Sequence, residues 1–277
     1  APVVESPKPA PIRVAFGLST PESVLYDAEA DRYLVSNING KPLDDDNNGF
    51  ITIHDPNEKA KIGLTKFIEG GKDKTKLSAP KGMAIAKGVL YVADINVVRM
   101  FDKKTGASKG EVAIEGATFL NDIAAAADGT IYVTDSGLNA EFKSTGTDAV
   151  WTIKGGKAKA LFRSPDLGAP NGLYIEGKDV WVNTFSSGEI YKITDKGKVD
   201  ATKPPKGQLD GFLKGGDDLY VSSWEGSSVL VKKKGATEWT VAVSGVKAPA
   251  DIAWDTKRKV LLVPRFMDNA VETFEIK

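Results

Sequence analysis

Glu22, Asn121, Asn171 and Asp210 stand at one register of a short motif that this chain repeats. The copies are Pro21-Glu22-Ser23-Val24, Pro80-Lys81-Gly82-Met83, Leu120-Asn121-Asp122-Ile123, Pro170-Asn171-Gly172-Leu173, Leu209-Asp210-Gly211-Phe212 and Pro249-Ala250-Asp251-Ile252. Each reads Pro or Leu, a variable residue, a small or acidic residue, then an apolar one. Two carboxylates and two amides make an oxygen-only donor set of the kind that calcium and other hard cations take, and the carboxylates balance a divalent charge. Asn and Asp before Gly are also ordinary turn residues, so Asn171-Gly172 and Asp210-Gly211 admit a purely structural reading. Glu22 is not a turn former, which favours a metal column. Lys81 and Ala250 complete it.

Something must bring these distant positions together. Successive copies are spaced 59, 40, 50, 39 and 40 residues apart, and each is followed by a turn and a second apolar run such as Tyr33-Leu34-Val35, Ile131-Tyr132-Val133 or Leu219-Tyr220-Val221. A unit of about this length fits one four-stranded sheet, the blade of a β-propeller. Six copies predict an all-β, six-bladed propeller, in which the innermost strands start near the axis and equivalent residues converge. The last repeat holds only three candidate strands: 250–254, 259–263 and 270–276. The alternating stretch Ile12 to Phe16 is expected to supply the fourth, joining the chain ends and removing the open sheet edges. Residues 1–11 are expected to be a loose proline-rich arm, with 12–277 forming one propeller domain.

Composition narrows the function classes. The 37 basic and 37 acidic residues cancel, which gives no reason to expect nucleic acid or an anionic membrane as a partner. There is no cysteine, which excludes disulfides, thiolate metal sites and a cysteine nucleophile. No apolar run approaches the ~18 residues of a membrane helix. Opening on Ala1-Pro2-Val3-Val4 looks like an exported chain whose signal peptide has been removed, although a trimmed chain would look the same. We expect a periplasmic or secreted monomer, with a cytoplasmic location left open, acting on a small molecule.

Blade one is predicted as 23–27, 32–36, 50–54 and 62–68, and the later blades as 83–114, 122–162, 172–201 and 211–243. Second-to-third-strand connections open on the face where inner strands begin, so Ile38–Gly49 and Ser136–Asp148 are candidate walls of the mouth. The first contains Asp44-Asp45-Asp46-Asn47-Asn48-Gly49, close to an EF-hand loop when counted from Asp44 to Asp55. Its flanks are strand-like and its twelfth position is Asp. Both an acidic surface turn and a second cation site stay open. His54, the sole histidine, falls in a third strand away from the axis, which leaves a histidine triad without support. No glycine-rich loop precedes a helix. The tryptophans fall mostly within strand patterns, except Trp224, which could reach the mouth.

With Glu22, Asn121, Asn171 and Asp210 at the starts of blades one, three, four and five, the chain resembles the calcium propellers of the gluconolactonase, regucalcin and senescence-marker-protein family. More distant likenesses are to paraoxonase, diisopropyl fluorophosphatase and strictosidine synthase. The resemblance implies that Glu22, Asn171 and Asp210 hold a catalytic calcium, that Asn121 ligates it or touches substrate, and that the chemistry is hydrolysis of lactones, esters or phosphoesters. Asp210 would be the general base or nucleophile and Asn121 would orient the substrate. Sugar-lactone members commonly carry arginine two residues before the blade-three asparagine, where this chain has Phe119; a more apolar lactone or ester is therefore expected. Lys81 is expected to attract an anionic substrate or to pair with a carboxylate. Asn37, Asp94, Asp135, Thr184, Ser223 and Arg265, at the ends of the second strands, are expected to form the pocket wall or to stand just behind it. Two alternatives stay open: a non-enzymatic binding propeller with a structural calcium, and condensation chemistry like that of strictosidine synthase. The latter wants an acid-base glutamate beyond Glu22.

Overall fold

Runs such as Tyr33-Leu34-Val35 alternate β-branched, aromatic and aliphatic side chains across a pleat and form strands throughout. The computed structural model describes residues 10–57 and 65–276. Its first strand is Arg13–Phe16 (β1). Blade one follows as Pro21–Asp27 (β2), Arg32–Asn37 (β3), Phe50–His54 (β4) and Thr65–Glu69 (β5). Blade two comprises Pro80–Ala86 (β6), Val89–Asp94 (β7), Val97–Asp102 (β8) and Ser108–Ala113 (β9). Blade three comprises Leu120–Ala125 (β10), Ile131–Asp135 (β11), Ala149–Lys154 (β12) and Lys157–Arg163 (β13). Blade four runs through Pro170–Glu176 (β14), Asp179–Thr184 (β15), Ile190–Thr194 (β16) and Gly197–Thr202 (β17). Blade five runs through Leu209–Gly215 (β18), Asp218–Ser223 (β19), Ser228–Lys232 (β20) and Thr240–Ser244 (β21). Blade six is Ala253–Asp255 (β22), Val260–Arg265 (β23) and Ala270–Glu275 (β24), with β1 as its outer strand.

These six four-stranded sheets form the expected six-bladed propeller. The N-terminal strand closes it: Val14 pairs with Glu272 and Phe16 with Ala270, antiparallel to β24. Expected strand 62–68 lies partly outside the described residues, as does most of the proline-rich arm; its described part is Thr65–Glu69. Blade six departs from expectation in its inner strand. Pro249 makes a lone bridge to Arg265, residues 250–252 leave the ladder, and Asp251 bridges Ser23 of blade one in parallel. The Asp251 N–H donates to Glu22 O at 2.9 Å and the Val24 N–H to Asp251 O at 3.2 Å. The ring is thus closed at its inner edge as well as its rim.

Burial follows the radial order. The outer strands β9 and β17 are mostly exposed, while second strands such as β3 are buried almost throughout because neighbouring blades cover both faces. Each gap between blades has its own apolar filling. Leu34, Ile51, Met83, Leu90 and Phe101 lie between blades one and two, and Tyr220, Val229, Leu261, Val263 and Phe274 lie between five and six. A separate cluster of Phe119, Leu138 and Ala169, backed by Leu43 and Phe185, sits at the mouth.

Candidate metal and ligand site at the hub

The inner strands of blades one to five interrupt their ladders at the same step. Pairing with the second strand jumps from Pro21 to Val24, Pro80 to Met83, Leu120 to Ile123, Pro170 to Leu173 and Leu209 to Phe212. The two skipped residues are the second and third positions of the repeated motif, and a bulge of this kind re-aims side chains out of the sheet's alternation. The backbone groups it frees are satisfied by polar side chains of the second strands. Ser36 Oγ accepts from the Ser23 N–H at 2.9 Å. Thr134 Oγ1 accepts from the Asp122 N–H at 2.9 Å and donates to Asn171 O of the next blade at 2.7 Å. Asn183 links Gly172 N to Asp210 O, at 2.9 and 2.6 Å. Ser222 links Gly211 N to Ala250 O, both at 2.8 Å. Adjacent inner strands therefore lie almost in contact. A Cβ at Gly82 would stand 2.5 Å from the Asp122 Cα, and one at Gly172 would stand 2.2 Å from Asp210 O, which explains glycine at the third position there.

The bulges place Glu22, Lys81, Asn121, Asn171 and Asp210 around one recess. Ile38, Pro42, Leu138 and Phe142 come from the two long second-to-third-strand connections, and Phe119, Phe185, Trp224 and Phe266 complete the wall. Phe185 meets Trp224 edge-on at 5.4 Å between centroids, and Trp224 lies 5.2 Å from Phe266. Phe142, half exposed at the rim, holds φ at 56°, a strained value for an aromatic residue. The Trp224 Nε1–H donates to Asp210 Oδ2 at 2.9 Å. Asn121 Nδ2 donates to Ser136 Oγ at 3.0 Å, and that hydroxyl donates to Pro170 O at 2.6 Å.

Three buried oxygens at this hub have no hydrogen-bond partner: Glu22 Oε2, Asn171 Oδ1 and Asp210 Oδ1. A native structure rarely leaves such atoms unmatched, because each costs about 1–3 kcal/mol. Burial, and then the charges of Asp210 and Asp251, pushes the Glu22 carboxyl well above the carboxylate range, while Lys81 pulls it back. Burial and Asp251 raise Asp210 likewise, against the Trp224 hydrogen bond. Burial lowers Lys81 to about 8, opposed by the charges of Asp94 and Glu22. The hub is therefore short of positive charge, and its free donors are all oxygens. That donor chemistry fits a hard divalent cation. Among the described residues no three His, Cys, Asp or Glu side chains gather as a metal cluster; the hub offers two carboxylates, and the amides of Asn121 and Asn171 make up the rest of the set.

Not every expected site residue reaches the recess. Asn37 and Asp135 do not line it. Asn37 Oδ1 accepts from the Ser19 N–H at 2.9 Å, and Asp135 Oδ1 accepts from the Phe119 and Gly137 N–H groups at 2.9 and 3.0 Å. Asp94 similarly takes the Ala79 N–H at 2.8 Å, and Ser223 the Gly226 N–H at 3.0 Å. Asn37, Asp94, Asp135, Thr184 and Ser223 are clamps on loops, not a pocket wall, because their oxygens are engaged mainly by backbone groups, while Arg265 pairs with Glu272 and Asp268. In the acidic loop, Asp44, Asp46 and Asp55 accept from Lys41, Asn48 and Asn57 respectively, so these carboxylates serve the turns themselves.

Asp122 and Asp251, the third residues of their motif copies, form a layer just beyond the column and line a second recess on its far side. Asp122 accepts from the Leu173 and Ile123 N–H groups, both at 2.6 Å. Asp251 accepts from Ser23 Oγ at 2.5 Å and is raised to about 7 by burial. Reading the third motif position as a column of its own would have found this pair.

No protein-family model matches the chain, and no curated protein sequence is similar to it. Solved structures are similar in fold. A gluconolactonase from Xanthomonas campestris superposes with a TM-score of 0.69 at 15% identity, over 99% of this chain and 96% of that one. A chain of a nidogen–laminin complex gives 0.64 at 15%, over 81% and 80%. A catalytically inactive virginiamycin B lyase from Staphylococcus aureus, with quinupristin, gives 0.62 at 16%, over 95% and 99%. At such identities the likeness is one of architecture.

Proposed function

We propose that this chain is a divalent-cation-dependent hydrolase of the lactonase or esterase type, acting at the hub on a small lactone, ester or phosphoester. The observation that carries this reading is the convergence of three unmatched buried oxygens, from Glu22, Asn171 and Asp210, on one recess. These residues would hold calcium, with Asn121 beside them; magnesium or manganese would suit the same oxygens. When bound, the cation supplies a Lewis acid that polarises a carbonyl or phosphoryl oxygen and stabilises the charge developing there.

The chain's own groups do the rest. Trp224 fixes Asp210 Oδ2 and leaves Oδ1 available to ligate or to take a proton, which makes Asp210 the general base or nucleophile. Asn121, oriented through Ser136, positions the substrate oxygen. The aromatic wall excludes water and receives an apolar body, in keeping with phenylalanine at position 119.

The test is a hydrolysis screen with lactones, aryl esters and organophosphates, with and without chelator, on the wild type and Asp210→Asn. Chelator-sensitive turnover that falls by about a thousandfold in a folded Asp210→Asn protein is expected. If calcium raises the melting temperature while no substrate turns over, the hub belongs to a binding propeller and the hydrolase reading fails.

A further inference from the structure

Among the described residues two lysines are deeply buried, and they are treated differently. Lys103 is fully matched: its ammonium meets Asp27 Oδ1 at 2.9 Å and Glu29 Oε2 at 2.7 Å. Lys81 is 1% exposed and lines the central recess, yet its ammonium has a single hydrogen bond, to Ala79 O at 3.1 Å. The Phe119 ring lies 4.9 Å away, and no carboxylate comes within ion-pair distance among the described residues. An ammonium carries three donors, and a desolvated one is costly unless they are met. The nearest candidate counter-charges are occupied elsewhere. Asp94 is held by Arg99 Nε at 2.9 Å and by backbone N–H groups. Glu22 and Asp210 are the groups assigned above to the cation.

The inference therefore rests on that assignment. With a divalent cation balanced by Glu22 and Asp210, the recess keeps one uncompensated positive charge, that of Lys81, beneath an otherwise apolar and aromatic wall. A neutral sugar lactone would meet neither feature. We infer that the site takes amphipathic monoanions, an aryl or alkyl lactone or ester bearing one carboxylate, with the carboxylate on Lys81 and the apolar body against Phe119, Phe185 and Trp224. Lys81 is thereby the residue that sets substrate charge. A carboxylate bound to ammonium over an aromatic ring gains a charge-assisted hydrogen bond in a water-poor setting, which is where such bonds are strongest.

The test uses a non-reactive pair that differs only in charge, 3-phenylpropionate and 3-phenylpropionamide, titrated calorimetrically into the calcium-loaded full chain. The carboxylate is expected to bind at least tenfold more tightly than the amide. Lys81→Met should abolish that preference and Lys81→Arg should keep it. Equal affinity of the two ligands for the wild type overturns the inference, and this arm stands even if Lys81→Met does not fold. A preference that survives in folded Lys81→Met also overturns it, because the carboxylate would then be reading the cation instead. The outcome is separable from the hydrolase reading: turnover of neutral lactones with no carboxylate preference sinks only the present inference, whereas tight carboxylate binding without any turnover sinks only the other.

Discussion

Two rings of polar side chains surround the axis, alike in residue type and burial and opposite in what their oxygens do. The oxygens of the ring at the second-strand ends are satisfied by the protein: Asp135 and Asp94 each take at least two backbone N–H groups from the loops that lead into the inner strands. The ring at the inner-strand bulges is not, since Glu22, Asn171 and Asp210 each leave a buried oxygen unmatched. The first ring uses its hydrogen-bonding capacity to fix the loops. The second leaves its capacity open, at a cost in folding free energy that the proposed cation would return. Burial does not separate the two rings; the number of partners their oxygens have does.

The sharpest way to break this comparison is to truncate one member of each ring. Asp135→Ala leaves the Thr118, Phe119 and Gly137 N–H groups without their acceptor and should lower unfolding free energy by about 3 kcal/mol in a denaturant titration. Asp210→Asn keeps its shape and loses a charge that burial and Asp251 already oppose, so in cation-free buffer its stability should equal or slightly exceed that of the wild type. Equal losses in both variants would erase the distinction between clamp and site.

A smaller effect is expected far from the hub, where polar groups are matched in the manner of the clamps. Arg258 meets Asp255 Oδ2 at 2.9 Å and Asp31 Oδ1 at 2.7 Å, and Tyr33 donates to Asp255 Oδ2 at 2.6 Å. Although burial works to raise Asp255, these donors and two backbone N–H groups hold its carboxyl below its ordinary value. A carboxyl lowered on folding adds stability above its unfolded pKa of about 3.9 and loses it as the pH falls through the folded value. The melting-temperature deficit of Arg258→Ala should accordingly be full at pH 7 and shrink below about pH 4. A deficit that stays constant across that range would mean that the contribution of Arg258 is packing.

Much of the fold could be read from the chain because the motif and its second apolar run recur with one meaning in every blade. The closing strand at Arg13–Phe16 followed from counting strands in the last repeat. The convergence of Glu22, Lys81, Asn121, Asn171 and Asp210 on one recess followed from symmetry, and Phe119 beside them from the family resemblance. Three features did not follow. Asn37 and Asp135 look like pocket residues by type, and only the approach of a neighbouring loop turns them into clamps. Asp122 and Asp251 were hidden because attention to the second motif position passed over the third, where Gly82, Gly172 and Gly211 disguise a second polar layer. The polar links Thr134, Asn183 and Ser222 depend on bulges, and a bulge is a register relation between strands that neither strand encodes alone.

Everything functional rests on a cation at the hub, and calcium titration by calorimetry on metal-stripped wild type, Glu22→Gln and Asp135→Asn tests it most directly. The account predicts one calcium per chain in the wild type, affinity weakened at least tenfold by Glu22→Gln, and little change in a folded Asp135→Asn. A wild-type chain that takes up no calcium, magnesium or manganese, or a Glu22→Gln variant that binds as tightly as its parent, would contradict it.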